Sequence, residues 1–175
     1  MTEDPLWPRA SSWLQPAGPE RAEIGLFGVL ASDTSISATG ANATPAEIRV
    51  ALARYSTFSH SQNQDLRQLS FQDFGDSEAP DSKDGEERTK ALAHKVSTQT
   101  ELSIALGGDN SITYAVMLGV FGEELSSAGL ITLDAHHDLR DGVSNGSPVR
   151  RLIEAGLPGI SIVQIGINDF SNSAE

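Results

Sequence analysis

The 175-residue chain contains no cysteine. Disulfides, thiolate nucleophiles and sulfur-ligated zinc or iron–sulfur centres are excluded, so any metal must be held by His, Asp, Glu or Asn. Long apolar runs are missing too. None approaches the ~20 residues of a membrane span, and MTEDPLWPRASSW lacks the basic and apolar regions of a signal peptide, so a cytoplasmic location is expected. Basic residues are scarce: 12 Lys and Arg against 24 Asp and Glu give a formal net charge of −12. That charge repels nucleic-acid phosphates and anionic membranes, leaving a small molecule as the expected partner. Much of the acid lies in FGDSEAPDSKDGEER, residues 74–88, which reads as a solvated loop. No internal repeat is present. The length and a 38% hydrophobic content fit one domain over residues 1–175, with residues 1–22 as an N-terminal arm.

Along the rest of the chain apolar runs alternate with helical spacing. EIGLFGVL, residues 23–30, predicts a buried strand, and TPAEIRVALARYSTF, residues 44–58, a helix with Thr44 able to cap it and Pro45 in its first turn. ASDTSISATGANA between them reads as loop. LSFQDFG, from Leu69, predicts another strand, and EERTKALAHKVSTQT a helix built on Leu92, Ala93 and Val96. LSIALGG (102–108), GLITLDAHHDL (129–139) and ISIVQIGI (160–167) predict strands, separated by helices at SITYAVMLGVFGEEL (111–125) and SPVRRLIEAG (147–156). Such a βαβαβ order implies an α/β fold with a mainly parallel sheet between helices, its ligands gathered outside the carboxyl ends of the strands.

DAHHD, residues 134–138, sets two carboxylates and two imidazoles directly after an apolar run. In extended backbone Asp134, His136 and Asp138 share one face, leaving Ala135 and His137 on the other. Two carboxylates without a counter-charge repel, whereas a divalent cation stabilises both and favours neutral imidazole as a further donor. Oxygen-rich coordination with one imidazole suits Mn2+ better than structural zinc. The competing reading is a polar cap on the next turn. LGGDNS, residues 106–111, ends the preceding strand and belongs at the same sheet edge, where its glycines make a tight turn and Asp109, Asn110 or Ser111 can cap the following helix. His60 and His94 lack any such context and read as surface residues. Trp7 and Trp13 read as anchors of the arm or as part of a substrate-side lid.

GGDNS, followed after one helix by DAHHD and then by NGSPVRRL, resembles the ureohydrolase superfamily of arginases, agmatinases and formimidoylglutamases. The likeness is strong over residues 100–170 and weak before them. It implies an arginase-like three-layer α/β sandwich and a binuclear Mn2+ site that activates hydroxide to attack an amidine or guanidine carbon. By this resemblance Asp134 is the bridging carboxylate, His136 the imidazole on one metal, and Asp138 the catalytic carboxylate on the other. Asn110 stands where most of the family has a histidine ligand. An amide oxygen is a weaker donor than imidazole, so the first metal is expected to bind less tightly.

Within the superfamily DLRDGVSNGSPVRRL is most similar to formimidoylglutamase. Its substrate carries two carboxylates, which Arg binds with bidentate, charge-assisted hydrogen bonds. Arg140 and the turn Asn145, Gly146 and Ser147 are therefore expected to bind substrate. Arg150 and Arg151 read as solvated or structural, and His137 as a packed or supporting histidine. The implied activity is hydrolysis of formimidoylglutamate to glutamate and formamide in histidine degradation. Agmatinase or guanidino-acid hydrolase is the competing enzyme, and a non-catalytic ureohydrolase remnant or partner subunit the competing class. The family's S-x-D-x-D segment does not follow ISIVQIGINDFSNSAE, so the resemblance covers the N-terminal portion of a ureohydrolase, a sandwich truncated at its C-terminus. Alone, the chain is expected to hold one Mn2+ or none and to be inactive, with a homo-oligomer or a missing C-terminal half to complete it.

Overall fold

The computed structural model describes residue 4 and residues 7–173. In chain order the elements are α1 (Ala10–Trp13), β1 (Gln15–Pro16), β2 (Ala22–Val29), α2 (Thr44–Ala51), β3 (Phe58–Ser59), β4 (Gln64–Asp65), β5 (Phe71–Ser77), α3 (Lys83–Gln99), β6 (Thr100–Gly107), α4 (Ile112–Phe121), β7 (Leu130–Leu133), α5 (Pro148–Glu154) and β8 (Ile162–Ile165). AEIGLFGV becomes the central strand because it can be buried on both faces. Phe27 and Val29 pack against Ala93 and Val96 of α3, while a Cβ at Gly28, on the opposite face, would meet Pro45 of α2. Burial of a side chain such as Phe27, fully inaccessible here, contributes about 1.5–3 kcal/mol. Helices thus cover both faces of a four-stranded parallel sheet ordered β1-β5-β2-β6.

β7 and β8 form a separate parallel pair, and no ladder joins it to β6 among the described residues. One face of the pair packs through Leu130 and Ile162 on a cluster of Met117, Leu125, Leu152 and Leu157. The other is open: Ile131, Leu133, Val163 and Ile165 are exposed. The strand expected at ISIVQIGI is thus buried on one face only, since no described helix covers the other side.

The solvated loop expected at 74–88 is corrected as well. Phe74–Ser77 continues β5, and α3 begins at Lys83 with Ser82 Oγ accepting from Gly85 N at 3.0 Å. Asp84 and Glu86 in that first turn favour the positive end of the helix. On β5, Asp73 and Asp76 are neutralised by Arg49 of α2, with contacts of 2.6 and 2.8 Å. Arg49 holds the Asp73 carboxyl below its usual range although burial opposes this. The helix expected over 44–58 is shorter, giving way to a 3-10 turn at Leu52–Arg54. Ser56 Oγ then accepts from Phe58 N at 3.1 Å, a local bond that competes with helix.

The N-terminal arm expected over residues 1–22 falls partly outside the described residues, at 1–3, 5 and 6. Its described part is tied down by Trp13, whose Nε1 donates to Leu69 O at 2.7 Å and whose ring lies 4.7 Å from that of Phe71. Phe71 opens β5, so Trp13 anchors the arm at the amino ends of the strands, away from any lid over the carboxyl ends.

At the carboxyl end of β6 the backbone of Gly108 runs so close to Ala31 that a Cβ would overlap the Ala31 carbonyl oxygen. Gly108 N and Asp109 N donate to Val29 O and Ala31 O, at 2.8 and 3.0 Å, which fixes this approach. Gly108→Ala is expected to destabilise the chain by at least the ~1–3 kcal/mol typical of overpacking, because backbone rather than side chain must move. A urea midpoint unchanged from wild type would contradict this close approach.

Candidate functional site

A cavity of about 930 Å3 opens at the carboxyl ends of the strands. Asn110, Asp134, His136, His137, Asp138, Arg140, Ser144, Asn145 and Gly146 line it, together with Ile36, Ser37 and residues 171–173.

The extended row of three ligands is not formed. β7 ends at Leu133 rather than at Leu139, because Asp134 Oδ1 accepts from the His136 amide at 2.8 Å and turns the chain. Asp138 then takes a left-handed φ of 57°, a conformation Asp tolerates better than most residues. Side chains no longer alternate between two faces there. His137 lines the cavity beside its neighbours, its Nδ1 sharing a 2.8 Å hydrogen bond with Gln164 Oε1 of β8. The His136 ring is folded back, its Nδ1 3.0 Å from Asp134 Oδ1. Among the described residues no group of three or more His, Asp or Glu side chains is drawn together as a ready metal cage.

What the structure does bring together on one cavity is Asp134 and Asp138, near enough for the charge of one to act on the other. Asp138 is 6% exposed. Burial first, and then the charge of Asp134, push its carboxyl up to about 6, against the opposing pull of the Asn110 hydrogen bond and of His136 and His137. No Lys or Arg ion-pairs with either carboxylate among the described residues. Two carboxylates and an imidazole on one cavity wall, with no cation between them, have the donor chemistry of a Mn2+ site. Asn110 does not cap α4 with its side chain. Its Nδ2 donates to Asp138 Oδ2, and its Oδ1 accepts from Thr113 Oγ1 at 3.0 Å.

Arg140 lies on the same wall. Its backbone N donates to Gly146 O at 3.0 Å, and its side-chain stem packs on Gly146, where a Cβ would stand 2.9 Å from Arg140 Cδ and from Ile36 Cδ1. A larger residue at position 146 would push the Arg140 stem or the Ile36 side chain aside. The Arg140 guanidinium has no hydrogen bond or ion pair among the described residues. Asn145 uses Oδ1 to accept from Ile36 N at 3.0 Å, which ties the loop after β2 to the turn that precedes α5. Ser147, expected to bind substrate, is fully buried, its Oγ donating to Ser144 O at 2.9 Å and accepting from Ser144 N at 3.0 Å. The cavity is lined by Ser144 instead.

Several lining residues escaped sequence reasoning. Ile36 and Ser37 arrive on a loop that carries no motif. Asn172 fixes the DAHHD backbone by accepting from His137 N at 2.8 Å and donating to Ala135 O at 3.0 Å. An Asn in a polar tail gives no local signal of such a contact.

The sequence profile of the arginase family matches residues 22–175. The chain belongs to the arginase family. Among its relatives, formimidoylglutamase of Halalkalibacterium halodurans is 40% identical over 162 residues, covering 86% of this chain and 50% of that protein. The crystal structure of formimidoylglutamase from Bacillus subtilis superposes with a TM-score of 0.89 at 28% identity, over 99% of this chain and 57% of that one. A Mn2+-bound formiminoglutamase of Trypanosoma cruzi matches with a TM-score of 0.82 at 25% identity, over 96% of this chain and 60% of that one. The arginase-family α/β fold with its parallel strands is thereby the fold observed here, and the chain spans about half the length of the curated relatives it matches.

Proposed function

We propose that this chain carries the metal-binding and carboxylate-binding wall of a Mn2+-dependent amidine hydrolase, which converts formimidoylglutamate and water into glutamate and formamide. The observation that carries this reading is the pairing, on one cavity, of the buried and crowded Asp138 with the unpartnered guanidinium of Arg140. Relatives named formimidoylglutamase support it, as does the Mn2+ of the Trypanosoma cruzi structure.

Asp134, His136 and Asp138 would hold the cation, with Asn110 the weakest donor because its amide oxygen is neutral and engaged by Thr113. A Mn2+ held there would supply Lewis acidity that activates water near neutral pH and polarises the amidine. The remaining work falls to the protein. Asn110 Nδ2 orients the Asp138 carboxylate, and Gln164 fixes the neighbouring His137 ring. Arg140 takes a substrate carboxylate in a two-donor, charge-assisted pair and opposes a substrate that arrives with its own guanidinium charge.

The test is formamide release from formimidoylglutamate, with and without Mn2+, by a complete enzyme that carries this chain. Activity should require Mn2+, and Asp134→Ala combined with Asp138→Ala should abolish both hydrolysis and saturable Mn2+ binding. Undiminished Mn2+ binding by the double variant would remove these residues from the metal site. Hydrolysis that persists in a strong chelator would remove the metal from the reaction.

A further inference from the structure

Arg150 lies outside the cavity lining, yet three bonds from this one residue converge on the segment that carries Asp138 and Arg140. Its Nε donates to Arg140 O at 2.7 Å, its Nη2 to Gly142 O at 2.6 Å, and its backbone N to Asp138 O at 3.2 Å. The third arm of the guanidinium, Nη1, meets Glu154 Oε1 at 2.5 Å, one helical turn further along α5. The side chain is 22% exposed, more enclosed than a free surface arginine.

These carbonyls lie in a stretch without regular structure. Residues 139–147 contain no strand or helix, so their backbone oxygens have no ladder to enter, and an acceptor left unsatisfied costs free energy. The donor must reach two carbonyls in fixed directions while a carboxylate sets the plane of the fork. Guanidinium does this; an ammonium, as a single point charge, does not. The Asp138 carbonyl also accepts one of the otherwise unpaired amides of the first turn of α5, which helps hold Asp138 at its positive φ. The base of the clamp is rigid. The neighbouring Arg151 makes contacts of 3.0 and 2.8 Å to Glu86 of α3 and lies 3.6 Å from the centre of the Tyr114 ring of α4, which locks α5 onto two other helices.

We infer that Arg150 is a positioning residue. Its guanidinium clamps the backbone of the loop from Asp138 to Gly146 and thereby sets the direction in which Arg140 presents its guanidinium to the cavity. The substrate part of this inference rests on the reading of Arg140 proposed above; the clamp itself rests on the bonds alone.

The experiment compares wild type with Arg150→Lys, Arg150→Gln and Glu154→Gln in a Mn2+-loaded complete enzyme that carries this chain, using two readouts. The first is amide hydrogen exchange at Arg140, whose N–H bonds Gly146 O, against control amides in β2. Both Arg150 variants should raise exchange at Arg140 with the β2 amides unchanged, Lys should fail to rescue, and Glu154→Gln should give a smaller change of the same sign. The second is steady-state hydrolysis: KM for formimidoylglutamate should rise about 10–100-fold, the scale found for groups that orient a metal ligand, with kcat far less affected. A clamp that exists only on paper would show unaltered exchange at Arg140, or exchange rising equally in β2, and either result overturns the inference. Equal losses in KM and kcat would overturn positioning of Arg140. Loosened Arg140 amides in a protein whose wild type does not hydrolyse formimidoylglutamate would support the clamp and remove the proposed function.

Discussion

Arg140→Ala, in a complete enzyme that carries this chain, is expected to remove most of the preference for a carboxylate-bearing substrate. The guanidinium is exposed and, among the described residues, unpartnered. With substrate seated, water is displaced and the pair becomes a desolvated, two-donor bridge. Truncating one member of such a pair costs about 2–5 kcal/mol, which should appear as a loss of that size in kcat/KM for formimidoylglutamate. Arg140→Lys keeps the charge and loses the planar fork, so it should recover only part of the loss. The Gly146 contact supplies a control. Because the arginine stem lies against a backbone with no side chain, alanine at position 140 leaves space rather than strain, and the fold should survive. An equal loss for formimidoylglutamate and agmatine would make Arg140 a structural residue.

Asp138→Asn is expected to move metal binding and stability in opposite directions. The folded chain holds the Asp138 carboxyl at about 6 instead of the usual 3.8, chiefly through burial and then through Asp134. A folded-state value above the unfolded one means that the folded protein binds the extra proton. The contribution of this group to stability is therefore complete below about pH 4 and is lost as pH rises through about 6, by up to about 3 kcal/mol at about 1.4 kcal/mol per unit. Asparagine removes the charge while keeping an oxygen that can accept from Asn110. Without metal, the variant should match wild type near pH 4 and exceed it at pH 8. With Mn2+ the order reverses, because wild type gains binding energy that the variant lacks. Mn2+ affinity should fall by more than the 10–100-fold typical of groups that merely orient a ligand. Urea denaturation at the two pH values, with and without Mn2+, checks both signs. A metal-free variant less stable than wild type at pH 8 would mean that the carboxylate is not strained.

Both clusters of the site were legible because each is local in sequence. GGDNS and DAHHD each compress chemistry-bearing residues into five positions, and strand-helix alternation is enough to bring both to the same edge. Finer orientation was not legible. The expectation that Asp134, His136 and Asp138 share a face assumed extended backbone, and the turn begun by the Asp134 side chain, with the left-handed Asp138 after it, breaks that assumption. Ser147 looked available in the NGSP turn, yet Pro148 starts α5 directly behind it and its hydroxyl closes on Ser144. Ile36 and Asn172 reach the cavity only through tertiary contacts with Asn145 and His137. The acidic run misled for a different reason. Composition alone does not distinguish a solvated loop from a strand whose carboxylates meet Arg49 followed by a helix whose first turn favours Asp and Glu.

The chemistry assigned to the cavity is tested most directly by kcat/KM for formimidoylglutamate set against that for agmatine, measured in one buffer on a Mn2+-loaded complete enzyme that carries this chain. A wall that offers an unpartnered guanidinium to a carboxylate should favour formimidoylglutamate by at least about a hundredfold, since agmatine leaves that guanidinium without a partner and brings a like charge towards it. Equal values, or a preference for agmatine, would contradict the assignment.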